Sequence, residues 1–315
     1  MNTYIILDCL IVVISIVMLW KGADWLVDSA AEIAHTLNVS DLIIGLTVVA
    51  FGTSAPEFAV TISAAITGQS DISIGNVVGS NIFNLGFILG GTAIIRPIVT
   101  SQKLFNRDGL FLLSTTALIF ILFFGINGWT PDDSFTKVEG AILFSLLIGY
   151  IAFLFIKKDP PEEVHPQNAT WKSYAYLFAG LAIIVYGGHL MVKHASNVAH
   201  YMGISDWVIA VTIVAAGTSA PELATSITAA LKGRHGIAIG NLIGSDLFNL
   251  LGVLGLAGMI NPTQLSQDIY GSVFLLVLMV GLTLLMIRTN WSISRAEGAV
   301  LVGINLIRWY FDFAA

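Results

Sequence analysis

The chain has 315 residues, of which 56% are apolar and only 11% charged, against roughly 25% charged in an ordinary soluble domain. That average would require about 79 charged side chains, and the sequence has 14 basic and 20 acidic ones. A soluble enzyme is excluded, and the net charge of −6 gives no argument for a nucleic-acid partner, because in a membrane protein the placement of charge matters more than its sum.

A membrane span needs ~20 predominantly apolar residues to cross ~30 Å of hydrocarbon. Ten such segments follow one another, at 4–34, 39–66, 71–95, 108–126, 138–156, 173–200, 205–231, 236–260, 268–287 and 294–313. The first has no basic leader and no small-residue cleavage site, so it reads as a retained span rather than a signal peptide. It holds the single Cys9, which excludes a disulfide within the chain. Between the fifth and sixth spans lies the one sizeable linker, 157–172, where Pro160, Pro161 and Pro166 among alternating charges oppose regular structure. Ten spans put both termini on one side. With the termini outside, the inner breaks hold Arg96, Lys103, Arg107, Lys157, Lys158, Lys172, Lys232, Arg234, Arg288 and Arg295, and the outer side only Lys137 and Arg308. The positive-inside rule selects that orientation in a cell inner (plasma) membrane. It also places the glycosylation-like Asn168-Ala169-Thr170 in the cytoplasm, which makes that match a chance one.

Shifting the chain by 165 residues aligns SDLIIGLTVVAFGTSAPEFAV from Ser40 with SDWVIAVTIVAAGTSAPELAT from Ser205, and IGNVVGSNIFNLGFILG from Ile74 with IGNLIGSDLFNLLGVLG from Ile239. Of the 51 positions from Ser40 to Gly90, 28 are identical to their partners. The chain is therefore a duplication: a first repeat at 1–156 with its motifs at 40–90, the linker, and a second repeat at 173–315 with its motifs at 205–255. Each half has five spans, an odd number, so the second copy inserts upside down. Inverted repeats of this kind belong to secondary transporters, whose substrate sites lie near the midplane where the repeats meet. The expected fold is an all-α integral membrane protein of ten helices in two inverted five-helix repeats.

Polar chemistry in the core of each repeat is confined to two strips. The second span carries GTSAPE, Gly52 to Glu57 and Gly217 to Glu222. Pro56 and Pro221 each remove a helix hydrogen bond, so carbonyls near Gly52 and Gly217 should be freed, which hydrocarbon tolerates only in a protein-buried or wet cavity. Glu57 and Glu222 cost ~2.5–3.5 kcal/mol each at a helix centre, and their duplication without a basic residue nearby argues for use. Thr53 and Thr218, four residues earlier, share their helix face, and Ser54 and Ser219 add hydroxyls. The third span adds Ser80 with Asn84 and Ser245 with Asn249, again four apart. Gly75, Gly79, Gly240 and Gly244 make a small-xxx-small pattern for close helix approach. A shell made only of oxygen suits hard cations such as Ca²⁺ and Na⁺. Asp24, Asp28 and Glu32, spaced four apart on the first span, are replaced by His189, Lys193 and Asn197 in the second copy and read as interfacial or gating residues. Asp246 stands where the first repeat has Asn81, with coordination, proton binding and a wet vestibule all open.

The paired GTSAPE blocks and GN-x-x-GS-x-x-FN strips resemble the alpha repeats of the calcium/cation antiporter superfamily, in particular the prokaryotic sodium/calcium exchangers, over nearly the whole chain. The resemblance implies a central site for one calcium and several sodium ions, with alternating access by sliding of the long first and sixth helices. By matching position it implies ligands at Glu57, Glu222, Thr53, Ser54, Thr218, Ser219, Ser80, Ser245, Asn84 and Asn249, with the carbonyls of Ala50 and Ala215 completing sodium sites. Some members, including potassium-dependent ones, carry Asp where this chain has Asn249, so Asn leans away from potassium coupling. The long regulatory loop of animal exchangers is replaced here by the short linker. The implied transport needs no cofactor and no obligatory protein partner beyond the bilayer and the two ions. The nearest alternative is proton/calcium exchange on the same glutamates. An intramembrane hydrolase fares poorly, since no HExxH, GxSG or GxGD occurs, and a fixed channel fits an inverted duplication less well than alternating access does.

Overall fold

The computed structural model describes residues 3–126, 134–159, 168–204, 209, 213, 215–264 and 268–314. Helices dominate: α1 (Thr3–Thr36), the bent pair α2 (Asp41–Thr53) and α3 (Ala55–Ile66), α4 (Asp71–Ile95), α5 (Gln102–Phe124), α6 (Lys137–Ile156) and α7 (Trp171–Tyr201). The second half continues with α8 (Ala215–Thr218), α9 (Ala220–Leu231), α10 (His235–Ile260), α11 (Asp268–Asn290) and α12 (Arg295–Ala314). Among the described residues seven helices are long and apolar enough to cross a membrane, and the α2–α3 pair makes eight. The remaining two segments anticipated from sequence are the seventh, whose first part at 205–214 lies largely outside the described residues, and α12, a 20-residue helix.

Local chemistry sets the helix ends. Ser40 accepts the Ile43 amide at 3.3 Å and starts α2, as an N-cap hydroxyl does by satisfying one orphan donor. Thr136 and Glu139 form a reciprocal capping box at the start of α6. The fourth span begins at Gln102 rather than at 108, because Ser101 caps the Leu104 amide and carries the helix through a polar turn. That turn is held inside by charge: Arg107 bonds Asp108 at 2.7 Å and Asp159 at 2.6 Å, Lys103 also pairs with Asp159, and the Tyr150 hydroxyl donates to Asp108 at 2.7 Å.

The centre of the molecule is α4 and α10, with 67% and 78% of their apolar windows buried, against 22% for α1. Around them α2 crosses α10 at the small residues: a Cβ on Gly240 would meet the Leu42 carbonyl at 2.7 Å, and one on Gly244 the Leu46 carbonyl at 2.7 Å. The matching face of α4, at Gly75 and Gly79, corresponds to residues 207–215, which lie mostly outside the described set. The long helices α1 and α7 pack on one another through Gly22 and Gly180, where a Cβ on Gly180 would lie 2.8 Å from the Gly22 carbonyl. Two short antiparallel ladders tie the halves together: Ile98–Val99 pairs with Ser292–Ile293, and Ser134–Phe135 with Thr263–Gln264.

Candidate cation-binding site

Helix geometry changes at each polar strip. Ser54, with φ −79° and ψ 8°, breaks the second span, and α3 leaves α2 at a bend of 52°. Pro56 in the first turn of α3 brings no N–H to the Gly52 carbonyl. Ser219, with φ −90° and ψ 11°, makes the corresponding break before α9. Each break puts its glutamate in the first turn of the following helix, where backbone N–H dipoles favour negative charge. In the third span of each repeat a π-helical segment starts at the strip, Asn84–Leu89 in α4 and Phe248–Val253 in α10. Such bulges re-aim side chains and recur at functional sites.

The two strips meet across the repeats. Ser219 donates to Glu57 Oε1 at 3.0 Å, and Ser54 donates to Glu222 Oε1 at 3.1 Å. Thr218, half-buried, also lies within electrostatic reach of Glu57, as Thr53 and Ser245 do of Glu222. The Thr53 hydroxyl contacts Asn241 Oδ1 at 3.0 Å, Ser245 Oγ at 3.5 Å and the Ala50 carbonyl at 3.3 Å. The Ala50 carbonyl also accepts the Ser54 amide at 3.0 Å, so this oxygen is already engaged within its own helix. Ala215 opens α8, next to residues outside the described set. Ser80 is buried on α4. Asn84 donates to Asp246 Oδ1 at 3.0 Å, and Asn249 to Asn81 Oδ1 at 3.0 Å, the same bond under the 165-residue shift.

Both glutamates are 1% exposed. Each keeps Oε2 buried without a hydrogen-bond partner among the described residues, and so do Asn84 Oδ1, Asn249 Oδ1 and Asp246 Oδ2. An unsatisfied buried oxygen is costly, and these five leave acceptor capacity on the two strips that no hydrogen bond among the described residues takes up. Free carboxylate and amide oxygens of this kind fit a hard cation. No three His, Cys, Asp or Glu side chains among the described residues converge on a single ion position, so hydroxyls, amides and carbonyls must complete any one shell. Beside the breaks, a cavity of about 500 Å³ is lined by Pro56, Val60, Val185, His189, Gly217 and Pro221.

Two residues that sequence reasoning passed over brace this arrangement. Asn76 donates to the Glu57 carbonyl at 3.3 Å and to Thr61 Oγ1 at 2.9 Å. Asn241 does the same for the Glu222 carbonyl at 3.4 Å and Ser226 Oγ at 3.0 Å. Their signal was present, since each follows a duplicated glycine in the GN of its strip. The acids of α1 engage partners away from the cage: Lys232, just past α9, bonds Asp24 at 2.5 Å and Asp28 at 2.7 Å, while Glu32 accepts from Ser173. Near the other end of α1, Asp8 meets His194 at 2.5 Å and Asn197 at 3.2 Å on α7.

Comparison with known proteins gives concordant matches. The family description "sodium/calcium exchanger protein" fits residues 8–156 and 172–312. The chain is 36% identical over 309 residues to a putative antiporter, CaxA, of Alkalimonas amylolytica, covering 92% of this chain and 94% of the relative. It is 33% identical over 336 residues to the sodium/calcium exchanger MaX1 of Methanosarcina acetivorans, covering 95% and 96%, and 30% identical over 315 residues to the inner membrane protein YrbG of Escherichia coli, covering 95% and 94%. Among solved structures, the sodium-calcium exchanger NCX_Mj soaked with 10 mM Na⁺ and zero Ca²⁺ superimposes with a TM-score of 0.82 at 32% identity, over 96% of this chain and 98% of that one. With both halves matched, and with the strips meeting across the repeats, the chain belongs to the sodium/calcium exchanger family of multi-pass membrane antiporters.

Proposed function

We propose that this protein exchanges Na⁺ for Ca²⁺ by alternating access, with Glu57 and Glu222 as the central ligands. The observation that carries this reading is the pair of buried carboxylates, each held through one oxygen by a serine of the opposite repeat, each with its second oxygen unpartnered among the described residues. Two such charges without a basic partner are strongly disfavoured in hydrocarbon, so the cage favours a loaded state and resists crossing the membrane empty. Thr53, Ser54, Thr218, Ser219, Ser80, Asn84, Ser245 and Asn249 supply the neutral oxygens, with the Ala50 and Ala215 carbonyls completing sodium sites, the Ala50 oxygen keeping a lone pair when Thr53 donates to Asn241 instead. One Ca²⁺ neutralises the two glutamates, whereas more than two Na⁺ exceed them, so exchange moves net charge. Cells holding an inward sodium gradient would use such an exchanger to extrude calcium. MaX1 and NCX_Mj, both named as sodium/calcium exchangers, support sodium over protons, as does the absence of acidic or histidine groups at 80, 84, 245 and 249.

With the termini outside, the cavity at Val60 and His189 lies beside the breaks on the outer half of α3 and α7, and the Lys232 ion pairs join α9 to α1 toward the inner end. This arrangement corresponds to an outward-facing state. The decisive measurement is calcium uptake by proteoliposomes loaded with sodium, beside potassium-loaded and pH-jump controls. Uptake is expected only from the sodium-loaded vesicles. Uptake driven by a pH gradient and indifferent to sodium would establish proton coupling instead, and a Glu57→Gln variant exchanging at the normal rate would remove the site.

A further inference from the structure

Asp246 is the core acid that duplication does not account for. It is fully buried on α10 and occupies the place of Asn81 in the first repeat. Its Oδ1 accepts from Asn84 at 3.0 Å and its main-chain carbonyl from Asn81 at 3.1 Å, while Oδ2 is buried without a partner among the described residues. An asparagine would hold Asn84 equally well, as Asn81 does for Asn249 at the same 3.0 Å. The negative charge and the second oxygen are therefore surplus to the packing. No described Lys or Arg forms an ion pair with it, and Glu222, buried as well, brings a like charge rather than an opposite one. A carboxylate kept in such a place at a cost of several kcal/mol needs a counter-charge.

That counter-charge has its own position. No three acidic, histidine or cysteine groups among the described residues converge on one point, so Asp246 does not join the two glutamates around a single ion. The unpartnered amide oxygens of Asn84 and Asn249 belong to the hydrogen-bonded set that contains Asp246. From this geometry we propose that Asp246 is a third anionic ligand of the cage, holding a monovalent cation at a separate position and so setting the sodium dependence of exchange. The inference rests on the sodium/calcium reading above and adds a charge count to it. Three carboxylates are matched by three Na⁺, and the Ca²⁺-loaded cage retains one negative charge.

The test compares wild type, Asp246→Asn, the relocated pair Asn81→Asp with Asp246→Asn, and Glu57→Gln in proteoliposomes, with calcium binding to each purified protein followed by calorimetry. For Asp246→Asn the sodium concentration that half-saturates uptake should rise about tenfold and the Hill coefficient for sodium should fall by about one. Calcium binding should weaken by a smaller factor than the sodium dependence, because the lost charge lies beside the calcium ligands rather than on the ion, and its retention also reports an intact fold. Moving the acid to position 81 should restore the sodium dependence. If wild type requires sodium and Glu57→Gln is inactive, yet Asp246→Asn keeps the wild-type sodium curve, the residue only orients Asn84 and the inference is overturned while the exchange reading stands. Sodium-independent uptake by wild type overturns both. Should Asp246→Asn fail to fold, Asp246→Ser, which keeps an oxygen for Asn84 and loses the charge, decides: a raised half-saturating sodium concentration supports the third ligand, and a wild-type sodium curve refutes it.

Discussion

Glu57 and Glu222 are bonded by serines from opposite repeats, so neither carboxylate is oriented by its own half of the chain. Behind them Asn76 and Asn241 hold the glutamate carbonyls. Each amide also bonds a hydroxyl one turn on, and Asn241 is the more heavily engaged because its oxygen accepts from Thr53 as well. Buried hydrogen bonds contribute about 0.5–1.5 kcal/mol each. Asn241→Ala should therefore weaken calcium binding about tenfold, the factor that corresponds to 1.4 kcal/mol; an unchanged Kd by calorimetry would show that the brace has no bearing on the ion. The glutamates were legible in the sequence because a carboxylate is costly in an apolar span and these two recur in register. The asparagine braces were not, because an amide in a glycine-rich strip reads as packing until its partners are known.

Helix breaks and helix crossings position those residues. The prolines announce the breaks at Ser54 and Ser219, but no proline or periodicity announces the π-helical turns starting at Asn84 and Phe248. The crossing of α1 with the end of α9 carries a conformational consequence. Lys232 bonds Asp24 and Asp28, whereas the residues equivalent under the 165-residue shift are Thr67 opposite His189 and Lys193, which cannot form this ion pair. A latch at one end only favours the state in which that end is closed. Partly exposed ion pairs contribute up to about 1 kcal/mol, about fivefold in a two-state ratio. Lys232→Gln should accordingly reduce the labelling by an impermeant maleimide of a cysteine placed at Val60, in a Cys9→Ser background. Equal labelling in the two backgrounds would show that the pair does not bias the equilibrium.

Across the whole molecule the proposed exchange has one ion cage reached from two sides of an inverted repeat, with charge deciding which loads cross. Exchange of one Ca²⁺ for more than two Na⁺, as proposed, would move positive charge with sodium. Calcium uptake into sodium-loaded vesicles should then accelerate under a potassium diffusion potential that is positive inside, because that field drives the surplus sodium charge outward. A rate unaffected by the potential would mean electroneutral exchange and would exclude a third sodium ion.

Composition, duplication and the odd number of spans per half are properties of the sequence alone, and they determined a membrane protein, an inverted repeat and two glutamates at its centre. These followed because hydrocarbon penalises polarity so heavily that each exception is visible residue by residue. Only the tertiary structure decided which oxygens meet: Ser219 with Glu57, Ser54 with Glu222, Asn84 with Asp246. Those contacts join residues more than 160 positions apart, and their pairing depends on how two oppositely inserted helix sets close on one another, which no local pattern encodes.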